Sequence, residues 1–287
     1  MSVSRVVRAG LIGSGIQASL TPAMHMREGA AQGLAYTYDK LDLDLLPDGA
    51  AALAPLLRQA EERGLDGLNI THPCKQTVIA LLDEVDEDVQ ALGACNTVVL
   101  TSGRRVGRNT DWWGFAESFR RGLPDASLKH VVQMGAGGAG SAVAYALLSL
   151  GAGKVEVFDL DPARTRELVD RLASRFGEDR IVVGQDVAAA MAGADGLAQC
   201  TAVGMTKYPG TPLDVNLLQS RQWVAEVIYF PLETALLKAA RERGCAVLDG
   251  GGMAVFQAVR AFDHFTGLTA DAERMRAHFG ELVAATA

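Results

Sequence analysis

A glycine-rich run between a strand-like and a helix-like segment constrains the fold of this chain more than any other feature. Residues 135–140 read Gly-Ala-Gly-Gly-Ala-Gly, which matches the pattern G-x-G-x-x-G. The apolar run HVVQM precedes it and SAVAYALLSLG follows it, so the pattern stands at a strand-to-helix turn. In this context it predicts a Rossmann dinucleotide-binding unit, in which loop amides and a helix N-terminus receive a pyrophosphate. The alternative is a glycine-rich turn that binds no ligand.

The glycines of this loop have separate predicted roles. Gly135 permits the tight turn, Gly137 lets backbone amides approach a phosphate, and Gly140 lets the helix pack closely on the strand. The expected cofactor contacts come from the loop itself and are Gly135, Ala136, Gly137, Gly138 and Ala139.

A carboxylate ends the next strand-like run. KVEVFD closes on Asp159, which can accept hydrogen bonds from an adenosine ribose and repels the 2′-phosphate of NADP. Asp161 precedes Pro162 and is expected to cap the following helix, a role that Asp159 could also have. Arg164 is a further cofactor-binding candidate, since an arginine here could meet a phosphate or stack on adenine. These residues predict NAD, with NADP as the weaker alternative.

Short apolar runs alternate with helical patterns, which predicts βαβ units, parallel sheets and an α/β fold. In the first third, four strands are expected, with helices over Ala50–Gly64 and Lys75–Val85 and a hairpin turn at Ser102-Gly103. A domain boundary is expected within residues 103–125. From His130 onward, six strands are expected in the runs HVVQM, KVEVFD, RIVVG, GLAQCT, WVAEVIYF and AVLDG, and two helices should end the chain.

Composition narrows the possible partners and locations. The 287 residues suffice for two domains, and the net charge of −7 argues against a nucleic-acid partner. Four cysteines and five histidines are scattered without metal-ligand spacing, so no metal is expected. Few cysteines and an N-terminus unlike a signal peptide predict a reducing, cytoplasmic location. The charge-free stretch Val131–Gly153 could span a bilayer by length, but its glycines divide it into strand, loop and helix, so no membrane partner is expected.

Four polar segments stand where strands are expected to end or helices to begin. They are Ser19–Pro22, Asn69–Lys75, Asn96-Thr97 and Asn109–Asp111. Because open α/β sheets bind ligands at the carboxyl ends of their strands, these hydroxyls, amides, ammonium and carboxylate would suit a small polyhydroxylated acid. The same residue types are ordinary turn and cap formers, so spacing alone leaves both interpretations open.

Taken in order, the motifs resemble those of the shikimate dehydrogenase family. Ser19–Pro22 resembles its S-x-[ST]-P motif, Asn69–Lys75 its N-[VI]-T-x-P-x-K motif, and Gly107–Gly114 its G-x-N-T-D-x-x-G motif. The glycine loop, a C-T-x-x-G-M segment at Cys200–Met205 and a D-G-x-x-M-x-x-x-Q segment at Asp249–Gln257 complete a resemblance that covers nearly the whole chain.

The resemblance implies a two-domain α/β architecture. An N-terminal α/β substrate-binding domain is joined to a Rossmann NAD-binding domain, and C-terminal helices return to the first domain. The implied substrate-binding catalytic domain comprises residues 1–108 and 253–287, and the implied Rossmann domain comprises residues 109–252.

The resemblance also implies roles for individual residues. Lys75 and Asp111 match the family's catalytic pair, and a positioned lysine can take the hydroxyl proton as hydride leaves a secondary alcohol. Without the motif, Lys75 would be interpreted as a solvated lysine near the start of a helix. The implied substrate contacts are Ser19 and Thr21 for a carboxylate and Thr71, Asn96, Asp111 and Gln257 for ring hydroxyls, with Tyr229 as a weaker candidate. Further implied cofactor contacts are Thr201, Val203 and Gly250.

These expectations predict reversible, NAD-dependent oxidation of shikimate, quinate or both. Asp159-Leu160-Asp161 stands where many NADP-using members have Asn-Arg-Thr, and Thr21 stands where many have a second serine. Both departures resemble the NAD-dependent quinate/shikimate branch. The alternatives are an NADP-dependent biosynthetic enzyme that reduces 3-dehydroshikimate and a non-catalytic regulator that binds a metabolite or NAD. A small molecule is the expected partner, and the assembly is expected to be a monomer or a homodimer.

Overall fold

The computed structural model describes residues 5–286, and the chain falls into two units. One unit runs up to Thr110 and resumes at Val255, and the other is Asp111–Ala254. Each unit is built on a six-stranded sheet with helices, so the predicted α/β class is confirmed.

The strands within the described residues are β1 (Val6–Gly13), β2 (Ala35–Asp42), β3 (Gly67–Ile70), β4 (Glu84–Val85), β5 (Thr97–Thr101), β6 (Arg104–Arg108), β7 (His130–Met134), β8 (Lys154–Phe158), β9 (Ile181–Val183), β10 (Gly196–Gln199), β11 (Trp223–Glu226) and β12 (Ala246–Leu248). The α-helices are α1 (Thr21–Ala31), α2 (Leu53–Glu62), α3 (Glu87–Leu92), α4 (Asp111–Gly122), α5 (Gly138–Ser149), α6 (Pro162–Phe176), α7 (Val187–Gly193), α8 (Ala235–Glu242), α9 (Gly251–Thr266) and α10 (Ala272–Thr286). Short 3₁₀ helices occupy Leu43–Leu45, Gly49–Ala52, Thr77–Leu81 and Val215–Leu217.

The sheet of the first unit has the order β2-β1-β3-β5-β6-β4. β1 pairs in parallel with β2 and β3, whereas β5 runs antiparallel to both β3 and β6. The expectation of a parallel sheet is therefore wrong for β5, whereas β4 pairs in parallel with β6. The predicted hairpin turn is confirmed and explains why β5 and β6 are antiparallel: Ser102 (φ 51°) and Gly103 (φ 70°) are both left-handed, and a two-residue turn joins antiparallel strands.

The predicted helix over Lys75–Val85 is also wrong. The chain instead makes a turn, the 3₁₀ helix Thr77–Leu81 and the short strand β4. β4 pairs with β6, and the amide of Asp83 donates to the carbonyl of Arg105 at 3.0 Å. Periodic apolar residues indicate only that one face is buried, and here pairing at the sheet edge takes the place of a helix. The expected helix over Ala50–Gly64 forms, with a 3₁₀ turn as its first part.

The sheet of the second unit has the order β12-β11-β10-β7-β8-β9, and all its pairings are parallel. Its six strands are the six predicted from His130 onward. The order reverses at β7, as in the doubly wound Rossmann topology, so β7 and β10 flank the point where such sheets bind their ligands. The charge-free stretch forms β7 and α5, and no helix in residues 5–286 is both long and apolar enough to cross a membrane.

Each unit has its own apolar core. In the first unit, α2 turns Leu53, Leu56, Leu57 and Ala60 inward, the spacing of one helical face. In the second unit, one buried residue from each of β7, β10 and β11 packs against α7 and α8. These residues are Val132, Leu197 and Val224.

The C-terminal helices return to the first unit, as predicted. α9 packs on β3, because a Cβ on Gly67 would lie 2.2 Å from the ring of Phe265. α10 is tied to α1 through the buried carboxylate of Glu28, which accepts two hydrogen bonds of 2.7 Å from the guanidinium of Arg274 and one of 2.9 Å from the amide of Asp271.

Candidate active site

Two hydroxyl residues lie where the chain passes from β1 into α1. The amide of Ser19 donates to the carbonyl of Ile16 at 3.0 Å, and the amide of Thr21 donates to the Ser19 hydroxyl oxygen at 3.4 Å. Thr21 is the first residue of α1, and both residues are partly exposed. The structure thus places the Ser19 hydroxyl beside the amide of Thr21 at a helix N-terminus, where the helix dipole favours an anion.

Thr71 follows β3 and is held against β1. Its amide donates to the carbonyl of Ile12 at 2.9 Å. A Cβ on Gly13 would lie only 2.2 Å from Cγ2 of Thr71, so the side chain of Thr71 occupies the space that a larger residue at 13 would need. Because β1 and β3 are parallel neighbours, Thr71 lies at the same sheet edge as the end of β1.

Lys75 lies in the turn after β3 and is half-buried. Its carbonyl accepts a hydrogen bond of 2.8 Å from the amide of Cys95, the residue before Asn96. The carbonyl of Asn96 in turn accepts a bond of 2.8 Å from the amide of Ile70 at the end of β3. These bonds bring the backbone of Lys75 and Asn96 to the same end of the sheet.

The side chain of Asn96 is buried, with 3% of its surface exposed. Its Oδ1 accepts hydrogen bonds from the amide of Thr110 at 2.7 Å and from the hydroxyl of Thr97 at 3.0 Å, and its Nδ2 donates to the hydroxyl of Thr110 at 3.0 Å. These hydrogen bonds fix the position of Thr110, which directly precedes Asp111 in the chain.

The sequence analysis gave no individual role to two supporting residues of this network, Tyr38 and Asn69. Tyr38 donates from its hydroxyl to Oδ1 of Asn69 at 2.7 Å, and Nδ2 of Asn69 donates to the hydroxyl of Thr97 at 3.1 Å. Asn69 begins one of the four polar segments that the sequence singled out. Tyr38 sits in a run with no local signal beyond a strand.

Two more of the predicted substrate-binding residues, Gln257 and Asp111, lie on helices of different units. Gln257 is half-buried on α9, in the part that belongs to the first unit. Asp111 is the first residue of α4, is 3% exposed and belongs to the second unit, whereas Lys75 belongs to the first.

Backbone angle and the space around each position explain the glycines of the loop at residues 135–140 in the second unit. Gly135 has φ 100°, and a Cβ on it would lie 2.8 Å from the backbone of Cys200. A Cβ on Gly140 would lie 2.2 Å from the carbonyl oxygen of Gly135, so this glycine lets α5 approach the end of β7. Gly137 and Gly138 instead face open space, with no atom within 4 Å of an added Cβ. An open side next to loop amides at a helix N-terminus fits a pyrophosphate.

Asp159, at the end of β8, holds this loop in place. Its Oδ2 accepts from the amide of Ala136 at 2.8 Å and its Oδ1 from the amide of Asp161 at 2.9 Å, and a carboxylate has further acceptor positions for a ribose. Asp161 caps α6 as predicted, accepting from the amides of Ala163 at 2.9 Å and Arg164 at 3.3 Å. Arg164 is exposed in the first turn of α6, and Ala139 is partly exposed in the first turn of α5.

Thr201 and Val203 follow β10 and are partly exposed. The hydroxyl of Thr201 accepts from the amide of Val203 at 3.1 Å. Gly250 lies against the end of β11, because a Cβ there would fall 2.4 Å from the carbonyl oxygen of Ile228. Tyr229 follows in the same segment, with its ring 5.1 Å from that of Phe230, and burial raises its pKa.

Three buried polar residues of the second sheet were also missed. They are Gln133, Gln199 and Glu226, which are 0%, 0% and 1% exposed. Burial raises the pKa of Glu226 to about 8, which favours its neutral form near pH 7. The available signal was a polar letter inside each of the apolar runs HVVQM, GLAQCT and WVAEVIYF. In residues 5–286, no cluster of three or more His, Cys, Asp or Glu residues could hold a metal ion.

The second unit has a doubly wound sheet with an open glycine loop, and the first unit carries hydroxyls, amides and an ammonium at a sheet edge. These features define a two-domain, dinucleotide-dependent dehydrogenase. Residues 11–98 match the family described as the shikimate dehydrogenase substrate binding domain. The chain is 53% identical over 278 residues to the shikimate dehydrogenase (NADP(+)) of Arthrobacter sp. (strain FB24), covering 96% of this chain and 95% of that protein. It belongs to the shikimate dehydrogenase family and is an oxidoreductase acting on a secondary alcohol.

Relatives named for NAD are nearly as similar to this chain as those named for NADP. The quinate/shikimate dehydrogenase (NAD(+)) of Corynebacterium efficiens is 50% identical over 275 residues, covering 94% of this chain and 96% of that protein. The structure of quinate dehydrogenase from Corynebacterium glutamicum in complex with NAD superposes with a TM-score of 0.93 at 47% identity, covering 97% of this chain and all of that one. Family membership therefore does not decide between NAD and NADP.

Proposed function

We propose that this protein oxidises shikimate, quinate or both with NAD, reversibly, to 3-dehydroshikimate and 3-dehydroquinate. The observation that carries the cofactor assignment is the acidic end of β8. Asp159 is held there by two backbone amides, Asp161 follows, and Leu160 between them is fully exposed. The 2′-phosphate of NADP would add negative charge beside these carboxylates, whereas the ribose of NAD offers hydroxyl donors to them.

The proposed cofactor site is built on the second unit. The amides of residues 137–139 would receive the pyrophosphate, because Gly137 and Gly138 leave their side of the loop open. Gly135 and Ala136 would contact the cofactor as part of the same loop, while their amides donate to the carbonyl of Phe158 and to Asp159. The other proposed contacts are Asp159, Arg164, Thr201, Val203 and Gly250.

The proposed substrate site takes its groups from the carboxyl edge of the first sheet and from two further elements. Ser19 and Thr21 would bind the carboxylate, since the Ser19 hydroxyl lies beside the amide of Thr21 at the start of α1. The proposed partners of the ring hydroxyls are Thr71, Asn96, Asp111 and Gln257, with Tyr229 as the weaker candidate.

Lys75 and Asp111 are the proposed catalytic pair. NAD held by the loops of the second unit would supply the acceptor for the hydride that leaves the carbon bearing the reacting hydroxyl. Nζ of Lys75 would take the hydroxyl proton in the same step and return it in the reverse direction. Asp111 would accept a hydrogen bond from a substrate hydroxyl and so help to orient the substrate.

A second candidate is the NADP-dependent biosynthetic reaction, the reduction of 3-dehydroshikimate. It is favoured by the relative from Arthrobacter sp. (strain FB24), which is 53% identical and named for NADP. In that reaction Arg164, exposed in the first turn of α6 after Asp159 and Asp161, would be the cation that receives the 2′-phosphate.

Initial rates with shikimate and quinate, each with NAD and NADP, test the proposal. We expect turnover with at least one acid and a kcat/KM for NAD at least about tenfold above that for NADP, a difference of about 1.4 kcal/mol. Equal or better efficiency with NADP would refute the cofactor assignment. Absence of turnover in all four combinations would refute the activity.

Substituting Lys75 tests the proton-transfer role. Lys75→Met should lower kcat by roughly 10²–10⁴-fold, because general acid–base catalysis contributes about that much. Lys238→Met, at an exposed position of α8, is the matched control and should leave kcat unchanged. A Lys75→Met protein with the wild-type melting temperature and near-normal turnover would contradict the assignment.

We further propose that the protein acts as a monomer or homodimer in a reducing, cytoplasmic environment. Its four cysteines are free and buried, which supports the location. Sedimentation velocity on the purified protein distinguishes the two assemblies.

A further inference from the structure

Three buried polar side chains stand in a row at the carboxyl edge of the second sheet. β7, β10 and β11 are parallel neighbours, and Gln133, Gln199 and Glu226 lie at or next to the last residue of each. The register pairs Gln199 directly with Glu226 and Gln133 with Ala198. An apolar residue at these positions would be easier to bury than an amide or a carboxyl group, so the sheet itself does not require them.

The side chain of Gln133 joins the two ends of the glycine loop. Its Nε2 donates to the carbonyl of Gly135 and to the carbonyl of Gly140, both at 2.9 Å. Its Oε1 has no hydrogen-bond partner among residues 5–286. The fold therefore tolerates a buried acceptor without a partner in order to hold the first turn of α5 against the end of β7.

The side chain of Gln199 folds the next loop back onto its own strand. Its Nε2 donates to the hydroxyl of Thr201 at 2.8 Å and to the carbonyl of Val203 at 2.7 Å, and its Oε1 accepts from the amide of Thr201 at 3.1 Å. One amide thus sets the backbone of two proposed cofactor contacts.

The carboxyl group of Glu226 closes the third loop. Its Oε1 accepts from the amides of Val227 at 3.0 Å and Ile228 at 3.2 Å, and its Oε2 accepts from the hydroxyl of Thr234 at 3.2 Å. Thr234 caps α8, so Glu226 joins the end of β11 to the start of that helix. The same backbone of Val227 and Ile228 is what Gly250 lies against.

We propose that Gln133, Gln199 and Glu226 are positioning residues that preorganise the dinucleotide site, an inference that rests on the proposed function. Gln133 and Gln199 hold loops that carry proposed cofactor contacts, and Glu226 holds the backbone against which Gly250 lies. Each is buried, contacts the loop that follows its own strand, and would act on the cofactor only through that loop. A loop already held in its binding conformation loses less conformational entropy when the ligand binds, which raises affinity without a new contact.

A fourth buried glutamine provides a matched control. Gln222 is 1% exposed, donates from Nε2 to the carbonyls of Met191 at 2.7 Å and Ala194 at 3.1 Å, and accepts from the amide of Gln219 at 2.9 Å. It immediately precedes β11, so it lies at the opposite, amino edge of the sheet. Its burial and bonding match those of Gln199, but no loop assigned to the cofactor depends on it.

The test compares Gln133→Leu, Gln199→Leu and Glu226→Leu with Gln222→Leu. All four should lower the melting temperature, because each removes buried hydrogen bonds. Only the first three should raise the KM for NAD, by about fivefold or more, and in Gln133→Leu and Gln199→Leu the KM for shikimate or quinate should stay within about twofold. Glu226→Gln should restore a near-wild-type KM for NAD, because its side-chain oxygen can still accept from the two amides.

Calorimetric titration with NAD in the absence of substrate separates this inference from the proposed function. A wild-type protein that binds NAD but oxidises neither acid would refute the function, and the titration would still test the three variants. If the wild type is active and Gln199→Leu has the same NAD affinity and KM as Gln222→Leu, the positioning role is refuted while the function stands.

Discussion

Replacing Gly140 with alanine tests whether this glycine is required for packing. An added Cβ would lie 2.2 Å from the carbonyl oxygen of Gly135, whereas ordinary contacts begin near 3.4 Å. The first turn of α5 would have to move away from the strand end by roughly 1 Å to relieve this overlap. Gln133 would then lose good geometry in its two bonds to Gly135 and Gly140.

The expected loss of stability follows from three terms. Overpacking costs about 1–3 kcal/mol, and weakened hydrogen bonds add up to about 1 kcal/mol. The better helix propensity of alanine offsets about 1 kcal/mol, so the net loss is at most about 3 kcal/mol and is centred on about 1.5 kcal/mol. For a domain of this size the central value corresponds to a melting temperature lower by roughly 5 °C.

Gly138→Ala is the matched control, two residues earlier in the same helix. An added Cβ at this position meets no atom within 4 Å, so this variant should melt at or slightly above the wild-type temperature. Thermal unfolding followed by circular dichroism measures both. If Gly140→Ala melts as high as Gly138→Ala, the packing explanation for Gly140 is wrong.

Two further predictions concern the first unit. Arg274→Ala should lower the free energy of unfolding at pH 7, because it leaves the buried carboxylate of Glu28 without its charged partner. Burial opposes that charge, but the hydrogen bonds from Arg274, Asp271 and Gln32 outweigh it and lower the pKa of Glu28, so this stabilisation is present above the unfolded-state value and disappears as the pH falls through the folded-state value. Urea unfolding at pH 7 and below pH 4 should therefore show the difference between wild type and variant shrinking, and a constant difference would contradict the reasoning. Gly13→Ala should raise the KM for shikimate or quinate several-fold and leave that for NAD unchanged, because its methyl group would displace Thr71; steady-state kinetics with an unchanged acid KM would count against the placement of Thr71 in the site.

Much of the fold could be predicted because its signals are local. The six strands of the second sheet are short apolar runs, and the loop between β7 and α5 carries its own steric signature in Gly135 and Gly140. The cap at Asp161 and the turn at Ser102-Gly103 are likewise set by adjacent residues. Steric limits on backbone angles and the period of apolar residues need no distant partner.

The wrong predictions concern segments whose structure depends on pairing with residues distant in the sequence. Residues 75–85 have the apolar spacing of a helix, but pairing of β4 with β6 and the bond from the Cys95 amide to the Lys75 carbonyl hold a different path. Likewise, no local pattern separates a strand parallel to β3 from the antiparallel β5 that lies beside it.

For the candidate site, the sequence alone determined the chemical groups, their order and the motifs that resemble the family. Tertiary structure decided what supports them: Asn96 bonded to Thr110, Asp159 bonded to the glycine loop, and three buried side chains joined to the loops after their strands. The physical reason is that a buried polar group must find a hydrogen-bond partner, and that partner can be any residue that the fold brings near. A sequence shows which groups need partners, and only the packed chain shows which partners they have.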